Sequence, residues 1–185
     1  MTWQVVHLSD AVPTPWRNGG GTTRELVAWP DPVAWQWRVS VAEVVQSGSF
    51  SSYPGAQRWF AVLAGDGVGL TVDGHLAMLT KSDQPFAFDG AALTSCELLG
   101  GATQDFNLMV QGGASARMLR MNCGFQGITN TPKIIAVYTH HERATVQIDR
   151  ETHELSPHAF GWVHVEANTA IHVLASDALL MEINI

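Results

Sequence analysis

Eight polar side chains in the first 107 positions could bind a small molecule. An arginine presents a rigid fork of N–H donors that can hold both oxygens of one carboxylate, and amides and hydroxyls add further hydrogen bonds. The candidate residues are Arg17, Asn18, Arg24, Arg38, Ser40, Arg58, Asp105 and Asn107. They predict a site for a small organic carboxylate, in which Asp105 orients an arginine.

The densest of these groups lies in residues 16–25, which read WRNGGGTTRE. Three consecutive glycines allow positive φ angles and a close approach of the backbone to a ligand or to another segment. We expect the glycine turn to shape the mouth of the site. A second interpretation stays open, in which Arg38 and Arg58 pair with Glu25, Glu43 or Asp105 in a buried network that needs no ligand.

Motifs for covalent catalysis are missing from the sequence. It contains no Gly-x-Ser-x-Gly, and the glycine run lacks the lysine that completes a phosphate loop. We therefore predict no catalytic residue and favour a binding protein over an enzyme. One alternative is a metal-free isomerase or hydrolase that uses Glu25 or Asp105 as a base. Another is an interaction protein without any ligand.

The histidines do not have the spacing of a metal site, so no metal and no other cofactor is expected. Small metal-binding β-barrels often use a His-x-His pair with a later Glu and a further His. Between His7 and His140 the sequence contains only His75, while His140 and His141 are adjacent and would point to opposite faces of a strand. Four more histidines follow at unrelated spacings: His153, His158, His164 and His172.

Composition excludes several classes of protein. The chain has 185 residues, of which 46 % are hydrophobic and 15 % charged, and a net charge of -7 argues against nucleic-acid binding. The N-terminus lacks the features of a signal peptide, and no run of 18 apolar residues occurs, so we expect a cytoplasmic protein that does not bind membranes. Cys96 and Cys123 are too few for a disulfide framework and are expected to be buried thiols.

The pattern of apolar residues predicts an all-β protein. From Trp35 to Val41 the large apolar residues alternate with Gln, Arg and Ser, which indicates a strand with Arg38 on the other face. Residues 69–80 predict a hairpin around an Asp73-Gly74 turn. No long stretch has the apolar spacing of a helix, so we expect at most a single short helical turn.

The two halves of the chain repeat each other at a shift of 75–77 residues. Residues 61–63 match 136–138, residues 71–73 match 147–149, and residues 105–108 match 182–185. We predict two tandem units, residues 1–112 and 113–185, each closed as a small barrel or jelly-roll sandwich. Unpaired edge strands and Trp-rich faces are features on which a homodimer could form.

Several segments together resemble the HutD/Ves family in order and spacing. They are residues 16–25, residues 37–42 (WRVSVA), residues 50–55 (FSSYPG) with Arg58, residues 85–88 (PFAF) and residues 105–109 (DFNLM). The resemblance implies a bicupin, that is, two tandem cupin-type barrels. It also implies a role in histidine utilisation, by binding a metabolite such as urocanate or formylglutamate and limiting the pathway, and it implies no enzymatic reaction.

Overall fold

The computed structural model describes residues 2–185, and almost all of its regular structure is β-strand. The first strand is β1 (Gln4–His7), and a single turn of 3₁₀ helix follows at Leu8–Asp10. This turn is the one helical element in the described part of the chain. The prediction of an all-β fold with at most one short helical turn is confirmed.

Residues 11–113 form one compact unit of two antiparallel sheets. The larger sheet has six strands in the order β2-β3-β4-β11-β6-β9. These are β2 (Pro13–Pro15), β3 (Gly21–Trp29), β4 (Trp37–Val44), β6 (Gln57–Ala64), β9 (Phe86–Asp89) and β11 (Thr103–Val110). The smaller sheet, β5-β10-β7-β8, consists of β5 (Gly48–Ser49), β7 (Val68–Val72), β8 (His75–Leu79) and β10 (Thr94–Leu98).

The second compact unit contains residues 2–10 and 114–185. Its larger sheet has the order β1-β17-β14-β19-β12 and its smaller sheet the order β13-β18-β15-β16. The strands are β12 (Ser115–Met121), β13 (Phe125–Ile128), β14 (Lys133–Thr139), β15 (Ala144–Ile148), β16 (Glu151–Leu155), β17 (Ala159–Val165), β18 (Ala170–Leu174) and β19 (Ala178–Asn184). Backbone pairing leaves each unit as two separate sheets, which is a jelly-roll type of sandwich.

Eight strands have the same order in both units, which confirms the predicted repeat. The order β4-β11-β6-β9 corresponds to β12-β19-β14-β17, and β5-β10-β7-β8 corresponds to β13-β18-β15-β16. The hairpin turns also agree, because Asp73 and Asp149 both have positive φ. The carboxylate of Asp73 accepts a hydrogen bond from the N–H of Leu93, as that of Asp149 does from Ala170.

The register of the last repeated strand differs from the sequence match by two residues. Asn107 lies opposite Phe60, and Glu182 lies opposite Ile135, so Asn107 corresponds to Glu182 at a shift of 75. The sequence match had paired Asp105 with Glu182. An alternating strand resembles itself after any even displacement, so the sequence pattern alone does not fix the register.

The N-terminal residues divide differently from the predicted segments 1–112 and 113–185. Strand β1 pairs with β17 along its whole length, from Gln4 opposite Trp162 to His7 opposite Ala159. Residues 2–10 therefore belong to the unit formed by residues 114–185, and the other unit begins at Ala11. Strand pairing across the sequence, rather than chain order, determines this division.

Four side chains lie where the sequence does not predict them. Trp35 precedes β4 and packs over the Arg38 guanidinium instead of joining the core face. Cys96 is buried as predicted, but Cys123 is exposed between β12 and β13. His140 and His141 follow β14, and their ring centroids lie 3.7 Å apart on the same side. Alternation holds only inside a strand, and these residues lie beyond the strand ends.

Residues 19–21 show both features expected of the glycine run, a positive φ and a close approach of the backbone to another segment. Gly19 has a φ of +71°, and a Cβ on Gly21 would overlap the carbonyl oxygen of Glu43. Gly21 therefore allows the start of β3 to lie close against the end of β4. The turn also carries main-chain hydrogen bonds, including one from the N–H of Trp16 to the carbonyl of Gly21 at 2.9 Å.

The substitution Gly21→Ala should destabilise the protein by about 1–3 kcal/mol, because the clash is with rigid backbone. Gly48→Ala is the matched control, since a Cβ there meets nothing within 4 Å and the backbone does not need positive φ. The free energy of unfolding from urea denaturation measures both. Equal effects of the two substitutions would contradict the assigned role of Gly21.

Candidate functional site

A cavity of about 600 Å³ opens in the unit of residues 11–113. Its floor is one face of the six-stranded sheet, and its rim comes from the segments 14–18 and 49–53. Six of the eight predicted site residues line it: Arg17, Asn18, Arg38, Ser40, Arg58 and Asn107. Phe60 also lines the cavity and belongs to an apolar core cluster that includes Val62 and Leu70.

Strand register brings these side chains together. Arg38, Met109 and Arg58 lie side by side on β4, β11 and β6. Ser40 and Asn107 form part of the neighbouring row, in register with each other. Because alternate residues share a face, both rows point into the cavity.

Arg58 is the central cation of the site. It is only 5 % exposed, and its guanidinium donates to the carbonyl of Ser51 at 3.3 Å and to Oδ1 of Asn107 at 3.1 Å. Its Nε has no hydrogen-bond partner among residues 2–185, and no carboxylate of these residues forms an ion pair with it. The charge of Arg58 is therefore buried beside neutral oxygens alone.

Aromatic rings surround this guanidinium. The Arg58 Cζ lies 5.0 Å from the ring centroid of Phe88, 5.5 Å from that of Phe50 and 5.6 Å from that of Tyr53. Ring faces attract cations, although more weakly than a carboxylate does. Burial lowers the pKa of Arg58 to about 10, Tyr53 opposes this shift and Arg38 adds to it. Arg58 is thus still protonated at neutral pH.

Arg38, in contrast, has a carboxylate partner. Its guanidinium lies 2.6 Å from Oε2 of Glu25, and both side chains line the cavity. Trp35 and Tyr53 contact the same guanidinium, with its Cζ 5.6 Å and 5.9 Å from their ring centroids. The ion pair of Arg38 with Glu25 is one of those that the ligand-free alternative predicts, whereas Arg58 forms none with a carboxylate of residues 2–185.

The rim is ordered by the glycine turn. Oδ1 of Asn18 accepts a hydrogen bond from the N–H of Gly20 at 3.0 Å. The indole of Trp16 donates to Oγ1 of Thr23 at 2.7 Å and meets the ring of Phe50 edge-on at 6.0 Å. Arg17 is exposed beside Trp16 and adds a positive charge at the mouth.

Arg24 and Asp105 do not line the cavity. Arg24 lies between the inward-facing Thr23 and Glu25, so it points to the other face of β3 and donates to the carbonyl of Ala11.

Asp105 shares the face of Asn107 but lies further along β11, opposite Val62. Asp105 is four residues along β11 from the position opposite Arg58, about 13 Å at a strand rise of ~3.3 Å per residue. It therefore does not orient an arginine, and Asn107 holds Arg58 instead.

Asp105 is fully buried, and one of its two oxygens has a partner. Oδ2 accepts from the hydroxyl of Thr103 at 2.8 Å, while Oδ1 has no hydrogen-bond partner among the described residues. Burial raises the pKa of Asp105 to about 7, and the hydrogen bond from Thr103 opposes that shift. A carboxyl in such surroundings favours its neutral form.

Two aromatic residues of the cavity, Phe50 and Tyr53, are not predicted as site residues from the sequence. Phe50 and Tyr53 bracket Arg58 from the loop that precedes β6. Local alternation cannot show which strand a loop will cover. A detectable signal is that this aromatic pair and Pro54-Gly55 stand shortly before a strand that has Arg58 as its second residue.

In the second unit, three histidines lie close together. The ring of His158 is edge-on to His140 and His141, with centroids 5.3 Å and 5.6 Å away. Burial and the neighbouring His141 lower the pKa of His140 to about 4.

Across residues 2–185, no group of three or more His, Cys, Asp or Glu side chains is arranged to hold a metal ion. No helix in that part of the chain is long and apolar enough to span a bilayer.

The fold and site define the class of protein. Two tandem jelly-roll sandwiches with eight corresponding strands make the chain a bicupin, and the cavity in residues 11–113 is rich in arginine and aromatic side chains. The oxalate decarboxylase of Lactobacillus farciminis shares the cupin fold, with a TM-score of 0.68 over 97 % of this chain and 85 % of that chain at 9 % identity.

The HutD family model matches residues 8–181, and the chain belongs to the HutD family. It is 42 % identical over 108 residues to an uncharacterised 21.2 kDa protein of the hutC 3' region of Pseudomonas putida. It is 35 % identical over 98 residues to the protein Ves of Escherichia fergusonii. The first match covers 57 % of this chain and 57 % of the P. putida protein. The second covers 52 % of this chain and 51 % of Ves, so the chain spans about half the length of the curated relatives it matches.

Solved structures match over the whole chain. HutD from Pseudomonas fluorescens SBW25, whose structure is described as a formate condition, has a TM-score of 0.84 and 30 % identity, covering 99 % of this chain and 98 % of that chain. A conserved protein of unknown function from Pseudomonas aeruginosa PAO1 has a TM-score of 0.88 and 26 % identity over 100 % of both chains. The predicted membership of the HutD/Ves family is confirmed.

The raised pKa of Asp105 gives a testable pH dependence. Between pH 3.8, the ordinary pKa of an aspartate, and about pH 7, the Asp105 carboxyl has lost its proton in the unfolded chain but keeps it in the folded protein. Asp105 should therefore lower the stability as pH rises through this window, by at most about 1.4 kcal/mol per pH unit. Asp105→Asn should remove that contribution.

The measured quantity is the free energy of unfolding of Asp105→Asn minus that of the wild type, from urea denaturation between pH 4 and 8. It should increase from pH 4 to about 7 and then level off. His140 contributes a slope of opposite sign, because its pKa is lowered, but it is present in both proteins and cancels in the difference. A difference that does not change with pH would contradict the assignment.

Proposed function

We propose that the unit of residues 11–113 binds a small organic carboxylate and that Arg58 is its main contact. The observation that carries this proposal is a buried arginine whose charge has no carboxylate partner among residues 2–185. An uncompensated buried charge is costly for a protein, and the cost disappears when an anion binds. The cavity beside Arg58 has room for such a ligand.

The lining also indicates the shape of the ligand. Phe50 and Tyr53 present aromatic surface next to Arg58, while Ser40 and Asn107 add polar groups on the sheet.

A charge-assisted hydrogen bond contributes about 1.5–3 kcal/mol net. For a ligand of ~10 heavy atoms at about -0.5 kcal/mol per atom, the binding free energy is about -5 kcal/mol, a Kd of some tenths of a millimolar. The protein would respond to high metabolite concentrations.

The candidate ligands are acids of histidine degradation, urocanate or formylglutamate. Membership of the HutD family supports this choice, as does the relative described from the hutC 3' region of P. putida. We propose that binding lets the protein modulate histidine utilisation.

The geometry favours binding over turnover. Glu25, one of the two residues considered as a base, is engaged in the ion pair with Arg38. Asp105, the other, is fully buried and does not line the cavity. Glu25 lines the cavity but is held by Arg38, and Asp105 lies outside the cavity lining, so the enzymatic alternative gains no support from a specific contact.

Arg58→Met should reduce the affinity for the acid by about 10- to 100-fold, because it removes the charge but keeps an apolar chain of similar length. Arg24→Met is the matched control, since Arg24 lies on the other face of β3. Both variants and the wild type are screened by thermal shift against urocanate, formylglutamate, glutamate, histidine and formate, with and without EDTA. Isothermal titration then measures the Kd of the acid that raises the Tm.

A rise in Tm with one acid, insensitive to EDTA and lost only in Arg58→Met, is the expected result. Equal affinity of wild type and a folded Arg58→Met would show that Arg58 is structural. No shift with any acid would favour the interaction protein instead. Consumption of the acid by the wild type, followed by NMR and abolished in Asp105→Asn, would favour the enzyme.

A further inference from the structure

The internal repeat provides a second copy of the candidate site for comparison. Asn107 lies opposite Phe60, two residues after Arg58 on β6. Glu182 lies opposite Ile135, two residues after Lys133 on β14. Lys133 thus occupies the position of Arg58, and like Arg58 it is buried, with 8 % exposure. Each unit carries one buried cation at the same place in its larger sheet.

The partners of the two cations differ in charge. Nζ of Lys133 lies 2.8 Å from Oε2 of Glu182, which is a short ion pair within the unit. Arg58 donates to the side chain at the corresponding position, but that side chain is the neutral amide of Asn107. In the second unit, Glu182 therefore neutralises the charge of Lys133. In the first unit, Asn107 leaves the charge of Arg58 without an anionic partner.

We propose that Asn107 keeps the anion site of the first unit open, and that Glu182 closes the corresponding site of the second unit by acting as a built-in counterion. This inference rests on the proposed function, since it assumes that Arg58 binds a carboxylate. It assigns ligand binding to the first unit. It also makes residue 107 the position that decides whether an external anion is bound.

The chemistry of the amide explains this role. Oδ1 of Asn107 orients the guanidinium of Arg58 through one hydrogen bond without cancelling its charge. The amide nitrogen of the same side chain stays available as a donor toward the cavity that Asn107 lines. A carboxylate at this position would neutralise Arg58 and present only acceptors, so it would repel an incoming anion.

Asn107→Asp tests the proposal with an almost isosteric change. Affinity for the acid that stabilises the wild type should fall by about 10- to 100-fold, while the Tm without ligand should rise, because Arg58 gains an internal partner. Asn107→Ala is the control, which removes the amide without adding charge. It should lower the Tm and weaken binding less than Asn107→Asp does.

Glu182→Gln is the converse change in the second unit. It leaves Lys133 without a counterion, so acetate should now shift the amide NMR signals around Lys133 in a saturable way. In the wild type, acetate should shift only signals around Arg58. A folded Glu182→Gln protein without acetate-dependent shifts near Lys133 would overturn the proposed role of Glu182.

The outcomes separate this inference from the proposed function. If no acid binds the wild type, the proposed function fails. If an acid binds in an Arg58-dependent way and Asn107→Asp binds it as tightly as the wild type, the proposed function stands and the role of Asn107 is wrong. Loss of binding in Asn107→Asp together with a raised Tm supports both.

Discussion

The burial of one guanidinium charge between two β-sheets is the constraint on which the rest of the site depends. Arg58 stands on β6, inside the larger sheet, and only 5 % of the residue is exposed, so water compensates little of its charge. The surroundings stabilise it with weaker partners: three aromatic rings, a main-chain carbonyl and an amide oxygen. Glu25 is engaged with Arg38 instead. This arrangement leaves a cation that an external carboxylate can satisfy.

The repeated architecture makes the charge arrangement informative. The two units have the same strand order and the same Asp-based hairpin turns, so corresponding positions can be compared directly. The apolar interior is kept in both, whereas the polar residues around the buried cation differ. Such a pattern is expected when a duplicated sandwich keeps its packing and changes its chemistry at a few positions.

Much of the fold could be predicted because its signals are local. Alternation indicated the strands, the Asp73-Gly74 pair indicated a hairpin, and the shift of 75–77 residues indicated two units. The site was predicted in part: six of the eight polar residues line the cavity. Arg24 lies outside the cavity lining because the sequence does not show which residues of β3 face inward. Asp105 also lies outside it, because the sequence does not show which end of β11 borders the cavity, and the register shift at Gln104/Asp105 is a long-range feature.

A crystal structure of the protein with urocanate or formylglutamate at saturating concentration tests the central claim most directly. We expect a carboxylate within about 3.2 Å of the Arg58 guanidinium, beside Phe50 and Tyr53, with the Arg38–Glu25 ion pair intact. A carboxylate bound outside this cavity, or bound to Arg38 after displacing Glu25 while Arg58 stays without an anion, would contradict it.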